Sequence, residues 1–237
     1  MTLARPPITA IPLLENGDRL TRTEFERRYH AMPHCKKAEL IEGQVYMASP
    51  VRARKRSQPH AAVMGWLFNY CQATPGVELM DNPTVRLDAD NEPQPDACLR
   101  IEEGAGGQSR ISEDDYIEGA PELIVEVAAS TASYDLHQKK QVYRRNGVRE
   151  YLVWRVLDGA IDWFVLEEEI YVNLPVDADG LLRSRVFPGL WLAVADLLGG
   201  NWAQVVAQLS LGLASAEHRE FQQSLAAKRS TDSTDRA

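Results

Sequence analysis

Two spacings of apolar residues alternate along this chain, a helical one and a strand-like one, and together they divide it into elements. Phe25 and Tyr29 lie four apart behind Thr21-Arg-Thr-Glu24, an order that predicts a capped helix opening at Thr21 or Thr23 and ending at Pro33. Residues 38–47 predict a hairpin around Glu42-Gly43, with Leu40, Val45 and Met47 among its apolar positions. Ala62, Trp66, Leu67 and Tyr70 predict a helix over 57–73, with Pro59 in its first turn and Thr74-Pro-Gly76 as its stop. Short strands are expected at 77–80, 85–87 and 95–101. The Gly- and acid-rich stretch 102–119 reads as a long loop.

The densest apolar run is Leu123-Ile-Val-Glu-Val-Ala128, a buried strand with a carboxylate at its centre. A helix over 133–146 follows, with Ser133 as N-cap and Gly147 as stop. Residues 150–156 and 161–166 form a strong hairpin pattern joined through Asp158-Gly159, and further β structure is expected near 170–174 and 182–186. Beyond Pro188 the spacing turns helical, over 194–198 and 202–213, and the Ser/Thr/Asp/Arg-rich tail from Ala226 is expected to be frayed and disordered. We expect an N-terminal arm over 1–20, a main domain over 21–200, a helical extension over 201–225 and the tail over 226–237. This order of elements predicts an α/β domain of α+β-like order, with a mixed β-sheet flanked by helices rather than a regular doubly wound fold.

Composition narrows the function. At 237 residues and 44% hydrophobic the chain can build a large core, and no apolar segment is long enough to span a bilayer. Cys35, Cys71 and Cys98 are far apart and odd in number, which suits reduced thiols; with no secretory leader pattern, a cytoplasmic protein without membrane contact is expected. A net charge of −8 argues against a nonspecific nucleic-acid coat but leaves local binding open. The basic run Arg52-Ala-Arg-Lys-Arg56 is either a solvated loop or a phosphate contact.

Glu126 is the residue that needs explaining. A carboxylate amid Ile124, Val125, Val127 and Ala128 must be compensated by a metal ion, a cationic side chain or a proton. Asp96 lies on another expected strand; if the two strands are neighbours, both acids can leave the same face and share a hard divalent cation such as Mg²⁺ or Mn²⁺. Asp135, Lys139 and Tyr143 are spaced by four and form one helical stripe, so Lys139 can face the acids, hold an attacking water and offset charge on a phosphate. The competing reading is a purely structural Glu126–Lys139 ion pair, which desolvation makes a poor stabiliser. His60 at the start of the second helix could reach phosphate or simply cap the surface. His30, His34 and Cys35 lack a second ligand pair for zinc, and Trp154, Trp163, Trp191 and Trp202 read as core or dimer contacts. Gly104, Gly106 and Gly107 do not make a phosphate loop.

The ordered series Glu39-Leu-Ile-Glu-Gly43, Pro95-Asp96, Pro121-Glu-Leu-Ile-Val-Glu126-Val, and Asp135-x3-Lys139-x3-Tyr143-x3-Gly147-Val-Arg-Glu-Tyr151 resembles the putative restriction endonuclease (Uma-two) family of the PD-(D/E)XK nuclease superfamily. The resemblance spans about residues 20–200, and Phe187-Pro-Gly-Leu-Trp191 with the helices after it is similar to a C-terminal extension found in part of that family. It implies a restriction-endonuclease-like core with an extra hairpin and C-terminal helices, Mg²⁺ or Mn²⁺, and hydrolysis of phosphodiester bonds in DNA. By position, Asp96 and Glu126 become the metal ligands, Lys139 a lysine moved from strand to helix, and Glu39 an additional acid of the site. Ala128 stands where the superfamily usually has lysine, and the stretch 128–131 is shorter than the family's Ser-Pro version. The rival expectation is a catalytically inactive nuclease-fold binding or assembly protein; RNA or a nucleotide as substrate is a third. The hairpin at 151–166 and the C-terminal helices could serve a homodimer or complete the monomer.

Overall fold

The computed structural model describes residues 11–47, 56–129 and 131–235. Helix α1 (Arg22–His30) starts at Thr21, whose Oγ1 accepts from Glu24 N as the Thr-x-x-Glu order predicts. Strands β1 (Ala38–Ile41) and β2 (Gln44–Met47) form the expected hairpin, turning through Glu42 and Gly43, both at positive φ. Helix α2 (Gln58–Ala73) carries its proline in the first turn. Strands β3 (Val77–Asp81), β4 (Val85–Arg86) and β5 (Ala97–Ile101) follow.

The stretch after β5 departs from the expected loop. It holds a 3₁₀ turn (Glu103–Ala105) and strands β6 (Arg110–Ile111) and β7 (Ile117–Glu118), which pair with each other and with β4 in a small three-stranded sheet. Two-residue strands carry too little periodicity to be seen in sequence. Strand β8 (Leu123–Ala128) is buried at every position. Helix α3 (Ala132–Tyr134), a π-helical turn (Asp135–Lys139) and helix α4 (Lys140–Arg145) run on continuously, starting after Thr131 rather than at Ser133.

Strands β9 (Glu150–Arg155), β10 (Ala160–Glu167) and β11 (Ile170–Asn173) complete the main sheet, in the order β11-β10-β9-β8-β5-β3. The β8–β9 pair is parallel and the other pairs are antiparallel, so the sheet is mixed as expected. Strands β12 (Leu181–Arg183) and β13 (Trp191–Ala193) pair separately, and β13 occupies residues where the sequence pattern had already turned helical. Helices α5 (Val194–Gly199), α6 (Trp202–Leu213) and α7 (Ala216–Asp235) end the chain. The last is a correction: the backbone stays helical through Asp235, because Ala226-Ala-Lys-Arg continues a good helix-forming run.

Alternation along β5 and β8 sorts side chains onto two faces. Ala97, Leu99, Leu123, Val125 and Val127 pack with Val63, Trp66, Leu67 and Tyr70 of α2, Val205 and Leu209 of α6, and Leu225 of α7. On the opposite face Cys98, Ile124 and Ala128 meet Tyr143 of α4, Tyr151 and Phe164. Trp154 and Trp163 are buried in the first of these cores, and Trp202 packs against Trp154. The 150–167 hairpin thus lies inside the sheet and completes the monomer's core. A third cluster joins Phe25 of α1 to Leu40 and Val45 of the first hairpin. Gly212 permits the tight seat of the loop before β13 on α6, since a Cβ there would stand 2.2 Å from Gly189 O. Among the described residues no helix is long and apolar enough to cross a membrane.

Candidate active site

The site forms at the end of the β5–β8 ladder. These strands run antiparallel with Ala97 opposite Val125, so one step further out Asp96 comes opposite Glu126. Glu126 continues the alternation of Ile124 along β8, and Asp96, one residue before β5, continues that of Cys98, close enough for its charge to act on Glu126. The Val127 N–H donates to Asp96 Oδ2 at 2.8 Å. Leu40 and Glu92 exchange backbone hydrogen bonds of 3.1 and 2.8 Å, which docks the first hairpin beside the segment leading to Asp96. Glu39 is thereby carried into the site, where its Oε1 accepts from Gln94 N at 2.8 Å.

Lys139 arrives from the helical side. The Lys140 N–H bonds back to Asp135 O and His137 O, a π-type widening of a kind often found at functional sites. The turn buries Asp135 and Lys139 together. Lys139 Nζ lies 2.7 Å from Glu126 Oε1, 2.7 Å from Glu39 Oε1 and 4.0 Å from Asp135 Oδ1. The Tyr143 hydroxyl donates to Glu126 Oε1 at 3.1 Å. The stripe read from sequence therefore surrounds one carboxylate, and an ammonium reaches Glu126 although Ala128 holds the position two residues beyond it.

Two partners of Asp96 escaped the sequence reading. Arg56 Nη2 lies 2.7 Å and Lys37 Nζ 3.6 Å from Asp96 Oδ1. Arg56 ends the basic run that starts at Arg52, whose residues 52–55 lie outside the described ones, and Lys37 lies directly before β1 with nothing in the sequence to mark it. His60 instead pairs with Asp81 at 2.9 Å, and His30 meets the Tyr116 hydroxyl at 3.2 Å. Neither contact involves the acid cluster.

The electrostatics show an excess of acid. Burial pushes Glu126 up to about 8 against the pull of Lys139, with Asp135, Asp96 and Glu39 adding to the rise. Burial also raises Asp135. Burial alone would lower Lys139, but Glu126, Glu39 and Asp135 outweigh it and keep the ammonium charged. Asp96 is the exception: burial raises it, yet Lys37, Arg56 and the Val127 N–H hold its carboxyl below the usual range. Among the described residues Glu39, Asp96, Glu126 and Asp135 thus face Lys37, Arg56 and Lys139, four acid groups against three basic ones.

This donor set fits a hard divalent cation in its chemistry. Two carboxyl groups share a face, carboxyl groups outnumber the cations around them among the described residues, and among those residues the buried Tyr134 hydroxyl has no hydrogen-bond partner. Among the described residues no three or more His, Cys, Asp or Glu groups converge as a metal cluster. That is compatible with Mg²⁺, which is commonly held by one or two carboxylates and completed by water.

Comparison with known proteins gives the same direction. No curated protein matches the chain. A crystal structure described as a putative nuclease belonging to DUF820, from Anabaena variabilis, superposes with a TM-score of 0.53 at 14% identity, covering 74% of this chain and 97% of that one. At that identity the likeness speaks for the fold, a mixed sheet flanked by helices as in restriction endonucleases. Residues 23–195 match the Uma2 family, described as “Putative restriction endonuclease”, a span that contains Glu39, Asp96, Glu126 and Lys139. This chain belongs to that nuclease family.

Proposed function

We propose that this protein is a metal-dependent endonuclease that hydrolyses phosphodiester bonds in DNA. The observation that carries the reading is the meeting of Asp96 and Glu126 on one sheet face beside the buried ammonium of Lys139. Asp96 and Glu126 would hold Mg²⁺ or Mn²⁺, with Glu39 supporting the site from the first hairpin. A divalent ion bound there supplies polarisation of the phosphate and acidification of a water. Lys139, fixed between Glu39 and Glu126, presents a positive charge to the phosphate as negative charge develops on its oxygens, and can orient the attacking water. Tyr143 holds Glu126 Oε1 and so keeps that carboxylate in one orientation. Burial of the whole group excludes bulk water and strengthens each of these interactions.

The test pairs cleavage with metal binding. Asp96→Asn and Glu126→Gln should abolish Mn²⁺-dependent cutting of plasmid DNA while circular dichroism stays unchanged, and calorimetry should lose the Mn²⁺ heat seen with the parent. Both variants cutting at the parental rate would remove these residues from the mechanism. One observation favours the rival, a silent binding module: each acid already has a cationic partner. A parent protein that binds no Mn²⁺ would decide for that rival. Parallel assays on RNA decide the sugar.

A further inference from the structure

The cations around the site differ in how firmly they are held. Lys139 is sealed in, its side chain 2% exposed and gripped by two carboxylates at equal distance. Arg56 and Lys37 reach the equally buried Asp96 from outside, with side chains 27% and 18% exposed, and they come from two separate segments, before α2 and before β1. Both converge on a single oxygen, Oδ1, while Oδ2 is engaged by the Val127 N–H. Two partly exposed cations from different elements on one oxygen exceed what a single buried carboxylate needs.

Resting on the reading of Asp96 as a metal ligand, we propose that Arg56 and Lys37 form a phosphate clamp held in reserve by Asp96. Without metal they neutralise its carboxylate; when a divalent cation takes that carboxylate, they turn to the phosphodiester backbone of the nucleic acid. A divalent ion and a guanidinium at 2.7 Å cannot share Oδ1 without strong mutual repulsion, so the group with a route to solvent must yield. Arg56 has that route. Its planar donor fork matches a phosphate's paired oxygens, and Lys37 adds a compact point charge at its side. Both are positioning residues for substrate, and they are free to meet a polyanion only once the metal has taken Asp96.

The experiment uses the full chain and two readouts other than cleavage. In EDTA, anisotropy with a fluorescein-labelled DNA duplex should show Asp96→Asn binding several-fold more tightly than the parent, because the clamp is released. Adding Arg56→Gln and Lys37→Gln to that variant should erase the gain and reduce the slope of log K against log salt by about one per cation removed. In calorimetry without DNA, Arg56→Gln should bind Mn²⁺ several-fold more tightly than the parent, while Arg56→Lys should stay close to it. A structural counter-ion would behave oppositely: its loss would weaken Mn²⁺ binding or leave it unchanged, and Asp96→Asn would gain no DNA affinity. Either result overturns the clamp. If the parent binds no Mn²⁺ at all, the catalytic reading falls, and the anisotropy series in EDTA still decides the clamp.

Discussion

Lys139→Met removes one charge and almost no volume, so it isolates the electrostatics of the buried cluster. The methionine keeps the apolar stem but withdraws the ammonium that stands 2.7 Å from both Glu39 and Glu126 and 4.0 Å from Asp135. Removing one partner of a buried pair costs about 3–5 kcal/mol. For a chain of this size each kcal/mol moves the melting temperature by about 2–4 °C, giving a loss of roughly 6–20 °C once Glu126 is ionised, above about pH 8. The loss should depend on pH. Glu126 is already raised to about 8 by burial, with Asp135, Asp96 and Glu39 adding to it, and withdrawing Lys139 raises it further. A carboxyl whose folded pKa exceeds its unfolded value binds more protons when folded, so its stability is fully present in acid and fades as pH rises through the folded pKa. Between about pH 6 and about pH 9.5 the two proteins therefore diverge: the parent ionises Glu126 as pH passes about 8, with Lys139 to pair it, while the variant must keep it protonated or leave it unpaired. Thermal melts of parent and variant across that range, in EDTA, provide the assay. A deficit equal at both ends, or below about 2 °C at the alkaline end, would refute the account of the cluster.

Three further outcomes follow from other parts of the molecule. Burial, with a hydrogen bond and like charge from Glu26, raises Glu92 to about 8, so the parent should lose stability as pH rises through that value, and denaturant titrations of Glu92→Gln should show a flatter profile. Glu150 accepts from Trp163 Nε1, the Ser184 hydroxyl, Arg185 N and Val186 N; Glu150→Ala strands these donors and should cost about 2–4 kcal/mol by urea unfolding. Gly212→Ala places a methyl 2.2 Å from Gly189 O and should cost about 1–3 kcal/mol, read as a lowered melting temperature.

The parts of this protein visible in its sequence are those with long periodic signals. Helix α2, the β9–β10 hairpin and the buried β8 strand all follow from ten or fewer apolar positions each, because their partners select for face and not for detail. Strands β6 and β7 were hidden because pairing with β4, not local pattern, makes them strands. Strand β13 was hidden in the same way, since its partner β12 draws Trp191–Ala193 out of the helical run. Glu126 announced the site because a lone acid among Val and Ile is a conflict that only tertiary structure resolves. Arg56 and Lys37 announced nothing comparable: they sit in polar segments where a cation conflicts with no neighbour, and only the fold shows that they end on Asp96.

Stability alone does not account for the cluster. A leucine at position 126 would continue the run of Ile124, Val125 and Val127, and replacing buried ion pairs by apolar residues is often neutral or stabilising by about 1–4 kcal/mol. The arrangement goes beyond a pair: burial raises Glu126, and Asp135, Asp96 and Glu39 add to the rise against the pull of Lys139. A double-mutant cycle makes the point quantitative. Glu126→Leu with Lys139→Met removes both charges of the closest pair, so at alkaline pH the double variant should be more stable than Lys139→Met alone, despite carrying one more substitution. Glu39 and Asp135 stay behind with their own burial costs, so full recovery to the parent is not expected. Urea unfolding of the four proteins at one alkaline pH measures the coupling. Additive losses would mean that Glu126 and Lys139 do not interact in solution, and the case for a preformed, charge-strained centre would go with them.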